Sequence, residues 1–133
     1  MKLIVDANII ISSLIKDSKT AELIINPLFE LYSPKYLIEE IIKYGEEIAI
    51  KTKRDIKSLK EIFDAIASLI NLIEFSNYEL FVYDAEKISP DKKDVDYFAL
   101  ALKFNCAIWT NDKKLKEQNR VDIYSTEEVS KFV

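Results

Sequence analysis

The chain has no histidine, one cysteine and one glycine among its 133 residues. Without histidine there is no Ser-His-Asp or Cys-His nucleophile system, no imidazole proton shuttle and no ordinary tetrahedral zinc site. Without a glycine-rich stretch there is no loop to cradle phosphates as P-loop and dinucleotide folds do. The lone Cys106 lies in an apolar stretch and has no partner for an internal disulfide, so the expected setting is reducing and cytoplasmic. The opening run from Leu3 to Ile15 is broken by Asp6 and Asn8 and closed by Lys16-Asp17, with no small-residue cleavage site after it. It is shorter than the roughly 20 apolar residues that span a bilayer, so no membrane partner is expected.

Acids are what the chain has in quantity. Val5-Asp6-Ala7-Asn8 follows the first apolar run, and Trp109-Thr110-Asn111-Asp112 follows a later one. Between them stand Glu39-Glu40 inside a helical pattern and Asp91, Asp94 and Asp96 at the head of another. An enzyme of this composition works with carboxylates and with a hard cation that they hold.

The length suits one domain, residues 1–133, since about 100–150 residues is the commonest domain size. Nineteen basic residues against 23 acidic ones give a formal net charge of -4, a sign that does not by itself favour nucleic acid. Distribution matters more than the sum. Lys51, Lys53, Arg54, Lys57 and Lys60 form one basic cluster, and Lys113, Lys114 and Lys116 another. Taken alone, each reads as a solvated helix face.

Lys2 to Val5 reads as a buried strand, followed by a helix from Ala7 to Lys16 and a second from Ser18 until Pro27. Phe29 to Tyr32 reads as a strand. Helical spacing then runs from Ser33-Pro34 to about Ala49, and again over Asp55 to Leu72. Ile73 to Phe75 suits a strand, Tyr78 to Lys87 has no clear period, and Lys92 to Phe104 is helical. Strands are expected at Ala107–Thr110 and Val121–Tyr124, and Ser125 with Glu128 makes a capping box for a last helix. Short apolar strands alternating with helices imply an α/β fold, a parallel β-sheet flanked by helices on both faces. In such sheets ligands bind outside the carboxyl ends of the strands. Asp6 and Asp112 each follow a strand directly, so both are expected on that rim.

Each acid taken singly is better read as a helix cap or as a charge favoured by a helix N-terminus. Helical phase does not choose between Glu39 and Glu40, which sit on opposite borders of the apolar face; Glu40 shares its side with Tyr44 and Glu47. The order of the whole set is harder to dismiss than any member.

Asp-Ala-Asn after the first strand, Glu-Glu-Ile in a middle helix, Asp94-Val95-Asp96-Tyr97-Phe98-Ala99-Leu100-Ala101, and then Ile108-Trp109-Thr110-Asn111-Asp112 resemble a PIN domain, a compact α/β nuclease. The resemblance spans nearly the whole chain and is most specific in its last two segments. It implies Asp6, Glu40, Asp94 and Asp112 as the catalytic and metal-binding acids, with Asn8 and Thr110 as polar supports. Asp96 stands where proline is common in similar sequences and is an extra acid; Asp91 is a further supporting one. Four converging carboxylates repel one another unless a cation sits among them, so the set implies Mg2+ or Mn2+.

The expected function is therefore metal-dependent hydrolysis of RNA phosphodiester bonds. Lys51, Lys53 and Arg54 would contact the substrate. The resemblance further implies a toxin-type ribonuclease restrained by a small antitoxin protein, and a homodimer. Its alternatives are a standalone RNA-processing nuclease and a catalytically silent PIN-like module that binds RNA or protein. A third is an aspartyl-phosphate phosphatase; Asn8 counts against it, since such enzymes carry a second aspartate there.

Overall fold

In a computed structural model of the chain, residues 1–15, 18–51, 61, 64–65 and 67–133 are described. The elements are β1 (Lys2–Val5), α1 (Ala7–Ile15), α2 (Ser18–Ile24), β2 (Glu30–Pro34), α3 (Lys35–Lys51), β3 (Ile70–Ile73), α4 (Val82–Ile88), α5 (Val95–Phe104), β4 (Ala107–Trp109), β5 (Ile123–Tyr124) and α6 (Thr126–Ser130). The five strands form one sheet in the order β3-β2-β1-β4-β5, with every pairing parallel.

β1 is central and apolar throughout, as a strand covered on both faces must be. Leu3, Ile4 and Val5 have no exposed surface, each worth roughly 1.5–3 kcal/mol relative to exposure. Successive side chains point to opposite faces. Leu3 and Val5 thus join Leu31, Trp109 and the inner sides of α1, α2 and α3, whereas Ile4 joins Tyr32, Ile108 and α5. The small residues Ala99 and Ala101, both buried, let α5 lie close against the sheet.

The strand order reverses at β1, which pairs with β2 on one side and β4 on the other. The carboxyl ends of β1 and β4 therefore border the crevice in which open parallel sheets bind ligands. Asp6 and Thr110 are the first residues beyond those ends.

The α/β fold and parallel sheet agree with the sequence, while several boundaries move. The helix expected over Asp55 to Leu72 lies mostly outside the described residues, and its end is not helical, because Ile70–Ile73 pairs with Leu31–Pro34 as β3. Leu69, Ile70 and Ile73 suit a helical period as well as a strand, and only the pairing decides. The strand expected from Phe29 runs instead from Glu30 to Pro34. The unassigned stretch after Tyr78 is a 3-10 turn, Glu79–Phe81, leading into α4, and the expected helix from Lys92 opens as a 3-10 turn, Lys92–Asp94, before α5. The Ser125–Glu128 capping box is present. Asn105 takes a left-handed conformation (φ 50°) to end α5, and the Cys106 amide closes back on the Ala101 carbonyl. No helix among the described residues is long and apolar enough to cross a membrane.

Candidate functional site

Asp6 leaves β1 with its amide still donating to the Trp109 carbonyl (3.0 Å), so the sheet fixes its backbone against β4. Its side chain is only 7% exposed and both carboxylate oxygens are engaged. Oδ1 accepts from the Asn8 amide at 3.0 Å, and Oδ2 accepts from the Thr110 hydroxyl at 2.6 Å. Asp6 is thus both a cap for α1 and the innermost acid of the rim. A carboxylate has about four lone-pair sites, so two acceptances leave room for a cation.

Thr110, buried, also receives the Asp112 amide at 3.1 Å. One hydroxyl therefore couples the ends of β1 and β4. Asn111 ties the same loop to the start of α6: its Oδ1 accepts from the Thr126 amide (2.8 Å) and its Nδ2 donates to the Thr126 hydroxyl (3.0 Å). Asp112 is exposed and accepts from the Lys114 amide at 3.0 Å, as a cap for the turn Lys113–Lys116. A cleft of about 310 Å³ opens here, lined by Asp6, Asn8, Ile9, Ser12, Asn111 and Asp112.

Asp94 is half-buried at the head of α5. Burial first, and then the carboxylates of Asp6, Asp91 and Asp112, push its carboxyl up to about 6, against a smaller opposing pull from Lys114. Asp6, Asp94 and Asp112 therefore share one electrostatic neighbourhood. Asp91 accepts from the Lys93 amide (3.0 Å) and pairs with Lys114 (3.4 Å), and that bonding holds its carboxyl below the usual range.

Glu40 stands elsewhere. On α3 it is exposed, it is not among the charges that raise Asp94, and it adds only the smallest of the pushes on the Tyr36 hydroxyl. Glu39 turns to the other side, 3.9 Å from Lys35, which also pairs with Glu74 at 2.9 Å. The two glutamates thus differ in surroundings: Glu39 pairs with Lys35, and Glu40 acts on the Tyr36 hydroxyl. Asp96 accepts from the buried Tyr78 hydroxyl at 2.5 Å and also lies against Tyr36. Burial, then Asp96, then Glu40 push the Tyr36 hydroxyl up to about 12. Lys53 and Arg54 lie outside the described residues, as does the side chain of Lys51.

Sequence reasoning missed Tyr97. Its hydroxyl accepts from the Ala7 amide at 3.1 Å and lies against Asp6, locking α5 to the turn after β1. Burial and then the Asp6 charge push this hydroxyl upward. A position one helical turn beyond Asp94 was the available signal.

Among the described residues no three acids close into a ready chelating group. The donor set nevertheless fits a hard divalent cation in kind: it offers oxygen ligands only, around an Asp94 whose carboxyl is raised by burial and then by its acidic neighbours. A larger cleft, about 600 Å³, lies at the opposite rim beside Lys2, Cys106, Arg120 and Asp122, away from these acids.

The sequence profile of the PIN domain matches residues 4–131. No curated protein matches the chain. Among solved structures, a chain of VapBC2 from Rickettsia felis, in a crystal structure bound to a DNA fragment from their promoter, superposes with a TM-score of 0.69 at 17% identity. The match covers 94% of this chain and 98% of that one, and at this identity it speaks for the fold.

Proposed function

The chain belongs to the PIN-domain family, and from that premise we propose that it is a metal-dependent endoribonuclease hydrolysing RNA phosphodiester bonds. The observation that carries the reading is the placement of Asp6, Asp91 and Asp112 around a half-buried Asp94, whose carboxyl is raised first by burial and then by their charges. Caps alone have no reason to gather so that one of them resists ionisation.

In this reading Asp6, Asp94 and Asp112 would hold Mg2+ or Mn2+, with Glu40 holding a second ion or orienting water. Bound there, the cation would polarise a phosphoryl oxygen and lower the pKa of a coordinated water. The chain's own residues do the positioning. Thr110 and the Asn8 amide aim the two Asp6 oxygens, and Tyr97 fixes the turn that carries Asp6. Lys51, Lys53 and Arg54 would meet RNA phosphates, offsetting repulsion from the acids. A toxin held by a small antitoxin, a homodimer and a cytoplasmic setting are parts of the same proposal, and the fold shared with a chain of VapBC2 speaks for the first of them.

Single-stranded RNA should be cut in magnesium or manganese and spared in EDTA. Robust cutting in EDTA by highly purified protein would sink the metal mechanism. The second reading, a silent module that binds RNA or protein, draws on the absence of a closed acid cage among the described residues. RNA binding with no cutting in either metal would establish it.

A further inference from the structure

The outward face of α3 carries Tyr36, Glu40 and Tyr44 in one row, each four residues from the next, with Lys43 beside them. Tyr36 is 40% exposed and Tyr44 65%. Exposed aromatics are ordinary when isolated, and exposure alone would carry nothing. Here three further facts converge. Tyr36 lies against Asp96, which the buried Tyr78 hydroxyl also holds at 2.5 Å, so the ring is anchored two residues from Asp94. Glu40, one of the acids of the proposed site, sits between the two rings. Lys43 is an exposed cation that makes no ion pair among the described residues.

We propose that Tyr36 and Tyr44 form a stacking track for unpaired bases, with Lys43 meeting the backbone phosphates, along which single-stranded RNA reaches the acidic rim. The proposal rests on the ribonuclease reading. Ring faces accept any base, and a nearby cation follows the backbone; that is the ordinary chemistry of single-strand binding. The rings select the strand state. Eight residues of helix set the two positions about 12 Å apart along its axis, and in a duplex every base face is already covered by its neighbours, so only unstacked bases can meet the rings. Two rings so spaced serve a splayed single strand and cannot each take a neighbouring base of a duplex. A protein partner fits less well, because interface centres are depleted of charge and this face sets Glu40, Lys43 and Glu47 among the two tyrosines.

The test is steady-state cleavage of a short single-stranded RNA in manganese by wild type, Tyr36→Ala, Tyr44→Ala and the two Phe variants. It is paired with the same RNA made abasic at single positions and with the mass of each protein in solution. The Ala variants should raise KM by roughly 5- to 150-fold, the range for loss of one stacked base, with kcat little changed. Tyr44→Phe, which keeps the ring, should stay near wild type, and Tyr36→Phe, which keeps the ring but loses its hold on Asp96, should fall between wild type and Tyr36→Ala. An abasic position at the contacted base should erase the difference between Ala variant and wild type. Wild-type cleavage with Ala variants inside twofold in KM overturns the track and leaves the nuclease standing. A KM rise that follows dissociation of a dimer overturns it in favour of an interface between copies. No cleavage by wild type in either metal removes both proposals.

Discussion

Asp6 and Glu40 are both acids of the proposed site, and the fold holds them in opposite ways. Asp6 is nearly buried, its backbone belongs to the sheet, and both of its oxygens accept hydrogen bonds from groups that are themselves fixed. Glu40 rides on the solvent face of a helix, near Tyr36, a tyrosine held by another acid, Asp96. The sheet side of the site is therefore built by folding, whereas the α3 side is open. An arrangement that is half rigid and half open suits a site that must hold an ion and also admit a polymer.

The contrast between the two sides breaks first at activity. Asp6→Asn and Asp94→Asn should each lower RNA cleavage by roughly a thousandfold, since each removes charge that the cation needs for a stabilisation of several kcal/mol. Turnover assays in manganese check this, and residual activity near wild type in either variant would detach that acid from the chemistry.

Thr110→Val tests the rigid side one step removed. The change leaves the Asp6 oxygen and the Asp112 amide without their shared partner. Metal affinity should fall about 10- to 100-fold, and stability in denaturant by about 1–3 kcal/mol. Unchanged manganese affinity by calorimetry would mean that Thr110 is only a packing residue.

The acids also give a pH signature. The folded-state value for Asp94 is about 6, above the 3.8 of an unperturbed group, so the unfolded chain loses its proton first as pH rises. Metal-free stability should therefore fall between about pH 4 and pH 6, by about 1 kcal/mol once solvent screening of a half-buried group is allowed for. Chemical denaturation across that range, repeated on Asp94→Asn, checks it; a slope that survives in the variant assigns the effect elsewhere.

The smallest effect is expected at Glu40. Glu40→Gln should leave stability within about 0.5 kcal/mol, as exposed substitutions do, while lowering turnover. Loss of stability comparable to that of Thr110→Val would erase the distinction between the two sides.

The rigid side is also the side that the sequence disclosed. Asp6 and Asp112 were legible because each comes just after a short apolar strand, and a parallel sheet brings the residues beyond its strand ends to one edge. Thr110 came with them, three residues after Ala107. Glu40 was not separable from Glu39 by helical phase; what separates them is Tyr36, four residues back, and Lys35, which draws Glu39 and Glu74. Tyr97 escaped notice because its role is a contact with Ala7, 90 residues away. β3 was expected three residues late, at Ile73 to Phe75, for the same reason: Ile70–Ile73 is apolar enough for either period, and pairing with β2 is a long-range fact. Asp96 read as an extra acid of the site, and its place between Tyr36 and Tyr78 was invisible until the chain folded.

The central claim is that three acids from distant segments share one cation. Thermal melting with and without manganese, on wild type and Asp112→Asn, tests that claim most directly. A cation bound only to the folded chain stabilises by about 2.7 kcal/mol at a hundredfold excess over its dissociation constant. That corresponds to a rise on the order of 10 °C for a domain of this size. Asp112→Asn should raise the metal-free melting temperature by relieving repulsion, and it should lose most of the manganese response. If Asp112 serves only as the cap for the turn Lys113–Lys116, Asn replaces it with little change. A full manganese shift in that variant would contradict the shared site.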